Sequence, residues 1–181
     1  MLIKESRDTL FKSYNFMFKY YLAALKKYAT FSGRARRKEF WYFGLMNFII
    51  ALCLCIPIYY GIFKMVFTLV SQGNNISEEA IIEFVLNNMG YSIIFYVIYI
   101  LYALAVFVPG LAVSVRRLHD VGKSGWFFLI PYLGILLNLI PIIGSFACLG
   151  LSIWFLVLMC TDSQVGENKY GSDPKAEERN I

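Results

Sequence analysis

The side chains best suited to chemistry lie in the stretch VRRLHDVGKSGWFF. It holds the only histidine of the chain, His119, followed by Asp120, with Arg116 and Arg117 before them and Ser124 after them. A histidine beside an aspartate could act as a general base, but a catalytic triad also needs a nucleophile close in space. We therefore predict no enzymatic activity. An enzyme acting on a lipid headgroup, with His119 as base and Asp120 as its orienting partner, is an alternative hypothesis.

Two more polar clusters, FSGRARRKEFW and GENKYGSDP, border apolar runs elsewhere in the chain. Arginine presents paired donors that match a carboxylate or a phosphate, so the carboxylates could pair with the arginines or leave a pocket for an anionic headgroup. The candidate ligand or network site consists of Arg34, Arg37, Glu39, Arg116, Arg117, His119, Asp120, Glu167, Asn168 and Tyr170.

The four cysteines fall inside apolar runs or at their edges, without paired spacing and without a histidine beside them. Metal sites and disulfide frameworks normally show such spacing. We predict no catalytic residues, no metal site and no cofactor.

The composition indicates that lipid is the solvent for most of this chain. Of 181 residues, 59% are hydrophobic and only 16% are charged, which is well above the apolar share of ordinary soluble domains. Uncharged runs cover residues 40–63, 91–115 and 126–160. The first two are long enough to cross a bilayer as one helix each. They predict an all-α integral membrane protein.

The third run is too long for one crossing. As a single helix its 35 residues would extend roughly 52 Å, so we expect it to fold back within LNLIPIIG, near Asn138 and Pro141. The prediction is a four-segment helical bundle with spans at about 40–63, 91–115, 124–139 and 141–160. The third segment is short and could be a re-entrant element shielded by its neighbours.

The regions flanking this membrane domain, residues 33–160, differ in character. Residues 1–32 predict a basic amphipathic helix, with Lys12, Lys19 and Lys26 opposite an apolar face. Such a helix can lie at the membrane surface or pack on the ends of the bundle. Residues 161–181 form a polar tail.

Charge predicts the orientation in the membrane. Ten lysines and arginines precede residue 40 and three lie in the loop 116–125, whereas the loop 64–90 is acidic and contains a predicted short surface helix. The positive-inside rule then places the N-terminus and the Arg116 loop in the cytoplasm. A fold-back in the third run returns the C-terminus to the same side, so the three polar clusters could meet.

Taken in order, these clusters resemble a bacterial inner-membrane family, domain of unknown function eight hundred and five, the YhaH-like proteins. The resemblance covers roughly residues 20–174. It implies a compact multi-span protein of the bacterial inner membrane with no established activity. The matching positions are Gly33, Arg34, Arg37, Glu39, Trp41, Arg116, Arg117, Leu118, His119, Asp120, Gly122, Ser124, Gly125, Trp126, Gly166, Glu167, Asn168, Tyr170, Gly171 and Pro174.

The function we predict is that of a non-enzymatic binding or scaffold module in the membrane. Its partners would be membrane lipids with anionic headgroups, or a membrane or cytoplasmic protein, and not nucleic acid. A small transporter or channel subunit is the alternative, because prolines interrupt the apolar runs. Against it, those runs contain no Asp, Glu, Lys, Arg or His, and ion-coupled carriers usually need such groups at membrane depth.

Overall fold

The computed structural model describes residues 16–72, 77–137, 139–140 and 142–179. This part of the chain is helical and contains no β-strand. Helix α1 covers residues 16–26. The other elements are α2 (Arg37–Gln72), α3 (Glu78–Asp120), a 3₁₀ helix (Gly125–Leu129), α4 (Ile130–Leu137), α5 (Ile143–Cys160) and the short α6 (Ala176–Arg179).

Three described segments are long and apolar enough to cross a membrane: Arg37–Thr68, Ser92–Asp120 and Ile143–Cys160. Their apolar side chains are mostly exposed, whereas several arginines and acids are buried. This reverses the arrangement of a water-soluble domain and is stable only where lipid covers the outer surface. The predicted all-α integral membrane class is confirmed.

The third segment is short in the structure, as the sequence predicts. The 3₁₀ helix and α4 together occupy Gly125–Leu137, which at ideal rises reaches roughly 22 Å, less than a hydrocarbon core of about 30 Å. Helix α4 packs against α5, where a Cβ atom on Gly134 would lie 2.9 Å from Cys148 Cα. The predicted break residues Asn138 and Pro141 lie outside the described residues. How many segments cross the bilayer stays a prediction.

The first two long helices extend well beyond the predicted spans. Helix α2 continues to Gln72, and α3 runs without a break from Glu78 to Asp120. The separate surface helix predicted within the loop 64–90 is therefore wrong, because that segment is the start of α3. Hydropathy shows where a helix enters lipid, but the helix itself ends only where its backbone is interrupted.

The chain divides into two compact units. Leu45–Phe107 forms one of them and consists of the distal part of α2 and the first part of α3. Within it, Tyr102 Oη donates a hydrogen bond to Asn47 Oδ1 at 2.5 Å. This hydrogen bond between two polar side chains links α2 to α3 within the apolar unit.

The other unit contains the described residues up to Gly44 and from Val108 onward. Here one face of α1 packs on the start of α2, with Tyr20 stacked on Tyr42 and Tyr21 stacked on Phe43. On its other face Phe18 is 53% exposed. Packing on the bundle therefore accounts for one face of α1, and contact of the other face with the membrane stays a prediction.

Candidate functional site

Asp120, the last residue of α3, is the centre of a buried ionic cluster. Its Oδ1 atom accepts a hydrogen bond from Arg34 Nε at 3.1 Å. Its Oδ2 atom accepts one from Arg117 Nη1 and one from Ser163 Oγ, the latter at 2.6 Å. The Asp120 side chain is 0% exposed, and the side chains of Arg34 and Arg117 are also buried. One carboxylate thus joins two arginines that lie 83 positions apart in the sequence.

The remaining donors of these two arginines bind backbone carbonyls of the C-terminal segment. Arg34 donates to the carbonyls of Gly166 and Gln164, at 2.6 Å and 2.5 Å. Arg117 donates to the carbonyls of Met159 and Thr161. The nitrogens of both guanidinium groups are therefore occupied within the protein. This geometry favours the network interpretation over the ligand interpretation for these two residues, because they tie the tail to the helix ends.

A second buried ion pair joins α2 to α3. Arg116 Nη1 donates to Glu39 Oε1 at 2.7 Å, and the Arg116 carbonyl accepts a bond from Ala35 N at 3.0 Å. Arg116 Nε and Nη2 are buried and make no hydrogen bond with a described residue. With Arg116 included, the cluster contains more arginines than carboxylates, so Glu39 and Asp120 are the charges that make its burial tolerable.

His119 is held by contacts that exclude the dyad considered from the sequence. Its Nδ1 atom lies 3.2 Å from the Gly33 carbonyl, and its ring stacks on Tyr170 with centroids 3.8 Å apart. Asn168 Nδ2 donates to the His119 carbonyl at 3.0 Å. Because Asp120 binds Arg34, Arg117 and Ser163 instead, the alternative in which Asp120 orients a basic His119 is wrong in geometry.

The structure therefore brings most of the predicted site residues together. The stacking of His119 on Tyr170 brings the end of α3 and the tail together at the same end of the helices. Glu167 is the exception, because it is exposed and forms no ion pair with any described residue. Arg37 lies at the edge, where it contacts Asp162 Oδ1 at 3.1 Å and the Cys160 carbonyl at 3.2 Å.

Positive charges gather at the start of α2 in a set that we call the basic rim, and of these only Arg37 was among the predicted site residues. Its cations are Arg36, Arg37, Lys38 and Lys175, which with Glu178 line a small cavity of about 60 Å³. Arg36 Nη1 lies 2.5 Å from Glu178 Oε1. The sequence did not indicate which acids of the tail pair with these cations, because basic and acidic residues are interspersed along the tail.

Hydrogen bonding perturbs two acids of the tail. The Lys175 ammonium donates to Asp162, and mainly this bond lowers the pKa of Asp162 to about 2. The backbone amide of Lys175 donates to Asp173 and lowers the pKa of that carboxyl. Asp162 therefore stays ionised at neutral pH and offsets part of the positive charge of the basic rim, whereas Asp173 pairs with Arg179 outside the rim.

An apolar groove of about 360 Å³ begins next to the basic rim. Phe40 and Trp41, two and three residues after Lys38 in α2, line one side of it. Residues of the 3₁₀ helix, α4 and α5 line the rest, including Tyr132, Phe155 and Leu156. A set of cations and an apolar groove thus lie next to each other along α2.

Gly122 terminates α3 in a conformation that suits glycine. Its φ is +74°, its amide donates to the His119 carbonyl, and Lys123 N donates to the Leu118 carbonyl, the two bonds of a Schellman cap. A Cβ atom here would lie 2.6 Å from Gln164 Oε1. We expect Gly122→Ala to lower the free energy of unfolding by about 1–2 kcal/mol.

Denaturation by increasing SDS in mixed micelles would measure that loss. Gly150→Ala in α5 is the matched control, because nothing lies within 4 Å of a Cβ atom there. Equal effects at the two positions would contradict the proposed role of the cap.

These observations define the class: a helical integral membrane protein whose helix ends and tail are joined by a buried arginine–carboxylate cluster. The chain belongs to the family described as "Protein of unknown function (DUF805)", whose model matches residues 28–172. It is 34% identical to inner membrane protein YhaI of Escherichia coli K12, over 86% of this chain and 95% of YhaI. It is 33% identical to inner membrane protein YhaH of the same organism, over 87% of this chain and 98% of YhaH. No solved structure matches the chain.

Proposed function

We propose that this protein is a non-enzymatic binding module of the bacterial inner membrane that holds an anionic phospholipid at the basic rim. In this proposal both chain termini and the rim face the cytoplasm. The relatives carry the name of inner membrane proteins, which supports the location. The positive-inside rule supports the orientation, because the basic residues gather at this end of the helices.

The observation that carries the proposal is the surplus of positive charge at the basic rim, where Lys38 is exposed and the side chain of Arg37 is 41% exposed. Its four cations face the acids Asp162 and Glu178, which are more than half exposed. The positive end of the α2 dipole adds to this charge. A phosphate would relieve the repulsion among these groups, and each cation near an anionic surface contributes about 1 kcal/mol.

The apolar groove supports a lipid rather than a free anion. It starts at Phe40 and Trp41, within one helical turn of Lys38 along α2. A phospholipid could place its headgroup on the basic rim and an acyl chain in the groove. The buried cluster would then serve as the frame that fixes the rim, since Arg34 and Arg117 anchor the tail that contributes Lys175.

The test compares two lipids with identical acyl chains, phosphatidylglycerol and phosphatidylcholine, by native mass spectrometry of the detergent-purified chain. We expect preferential retention of phosphatidylglycerol that weakens as salt increases. The double variant Arg37→Gln/Lys38→Gln should bind it about tenfold or more weakly, since two cations near the headgroup are lost.

Lys64→Gln provides the control, because Lys64 is an exposed lysine on the same helix away from the rim. It should leave phosphatidylglycerol binding unchanged. Equal retention of the two lipids by the wild-type chain would overturn the proposal. An equal loss in the control would also do so, because binding would then follow net charge alone.

A further inference from the structure

We propose that a second cavity, separate from the basic rim, binds a neutral lipid with a free hydroxyl group, of the diacylglycerol class. The cavity has a volume of about 390 Å³, within the range of small-molecule pockets. We call it the His119 cavity. The residues that carry the argument are Leu111, Val115, His119, Ser124, Phe128 and Leu129.

The cavity has a polar end and an apolar end. Leu111, Val115 and His119 follow one another at intervals of four on α3, so they lie along one face and span roughly 12 Å of its axis. His119 lies in the last turn of the helix, and Leu111 lies deeper in the apolar segment. This gradient matches an amphiphile with its polar group at the membrane surface and its chain pointing inward.

The polar end offers one acceptor and one hydroxyl. Because a carbonyl can only accept, the contact with Gly33 assigns the proton of neutral His119 to Nδ1 and leaves Nε2 as an acceptor. Ser124 precedes the 3₁₀ helix, but its side chain makes no capping hydrogen bond. A ligand hydroxyl could donate to Nε2 and accept from Ser124 Oγ.

The charge of the lining favours a neutral headgroup. Among the described residues that line the cavity there is no lysine or arginine. A phosphate or carboxylate would bring only acceptors to the Nε2 acceptor of neutral His119. The His119 cavity and the basic rim therefore differ in the lipid chemistry that they match.

A ligand could enter the His119 cavity because its edge is exposed and because residue 125 is a glycine. A Cβ atom on Gly125 would lie 2.7 Å from Val115 Cγ1 and 3.5 Å from His119 Nε2, so a side chain would crowd the polar end. Trp126 is 78% exposed and Leu129 is 51% exposed. The opening is thus formed by apolar side chains that lipid would cover.

The experiment uses the full chain in phosphatidylcholine nanodiscs that contain a diacylglycerol with a diazirine on one acyl chain. After photolysis, peptides carrying the crosslink are identified by mass spectrometry. We expect saturable labelling within residues 111–129. Unlabelled diacylglycerol should compete for this labelling, whereas its O-methyl ether, which lacks the hydroxyl donor, should compete roughly tenfold less well, as expected for one lost hydrogen bond.

Ser124→Ala is the key variant, because this hydroxyl has no role in capping and its loss should not disturb folding. It should weaken labelling roughly tenfold or less, the size of one hydrogen bond. His119→Asn, whose amide can still donate to the Gly33 carbonyl, should also weaken labelling. Arg37→Gln/Lys38→Gln should leave it unchanged, which separates this inference from the proposed function.

Three results would overturn the inference. The first is unchanged labelling in Ser124→Ala, and the second is equal competition by the O-methyl ether. The third is stronger competition by phosphatidic acid than by diacylglycerol, because the cavity would then prefer an anionic headgroup.

Discussion

Asp120→Asn should lower the free energy of unfolding by about 3–5 kcal/mol, the largest effect that we expect from a single substitution in this chain. Asparagine keeps the shape of the side chain but removes the negative charge between the buried guanidiniums of Arg34 and Arg117. Each cation would then remain buried without its only carboxylate partner among the described residues. Denaturation by SDS in mixed micelles, followed by circular dichroism, would measure the loss.

Asp162→Asn is the matched control, because it makes the same chemical change at an exposed position. The side chain of Asp162 is 58% exposed, so its ion pairs should contribute less than about 1 kcal/mol. Its folded pKa of about 2 lies below the ordinary value of 3.8. The contribution of Asp162 is therefore present above about pH 4 and is lost as the pH falls through about 2.

The network can be tested further with Arg34→Met. If Arg34 and Asp120 act as one unit, the double variant Arg34→Met/Asp120→Asn should lose less stability than the sum of the two single variants. Strict additivity, or equal losses in Asp120→Asn and Asp162→Asn, would show that burial of this carboxylate does not govern the stability of the fold.

The class of fold could be read from the sequence because lipid imposes long uncharged runs. The ends of the helices could not. Helix α3 continues to Asp120 although its last turns carry charged residues. The loop at Gly33 and the tail cover these turns, so Arg116 and Arg117 are buried while they remain helical. Hydropathy assigns such residues to a loop, since it records charge without recording the partner that makes burial possible.

The sequence indicated most of the residues that form the candidate site, but only partly which of them pair with each other. Arginines and carboxylates on one side of the membrane were expected to meet, and Arg34, Arg117 and Asp120 do so. Many of their partners, however, are backbone carbonyls of residues 159–166, which any residue type supplies. Glu167 carries the charge expected of a partner but faces away, so residue type alone could not assign the pairs.

The ion pairs at the basic rim also could not be assigned from the sequence. Cations at the start of α2 are unfavourable beside the positive helix end and need a compensating anion. Glu39 is the nearest acid in sequence, yet it pairs with Arg116, while the tail acids Asp162 and Glu178 pair with Arg37 and Arg36. These pairs become visible only in the three-dimensional structure, where the tail lies next to the start of α2.

Glu39→Gln should therefore have the second large effect, a loss of about 3 kcal/mol of unfolding free energy. Glutamine can still accept the bond from Arg116 Nη1, so the expected loss comes from the charge. Arg116 is 1% exposed, and its Nε and Nη2 atoms make no hydrogen bond with a described residue. Glu39 is thus the only carboxylate within 4 Å of this guanidinium among the described residues. Thermal unfolding in detergent, followed by loss of the monodisperse peak on size exclusion, would measure the change.

Glu167→Gln removes the same charge at an exposed position that forms no ion pair with a described residue, and it should change the stability by less than about 0.5 kcal/mol. The double variant Glu39→Leu/Arg116→Leu separates stability from function. Replacing a buried ion pair by apolar side chains is often neutral or stabilising, so this variant should recover most of the stability lost in Glu39→Gln. Full recovery together with unchanged phosphatidylglycerol binding would mean that the pair only fills space. Recovered stability with weakened binding would mean that the pair is retained because it positions the first turn of α2, and with it Arg37 and Lys38, for the lipid.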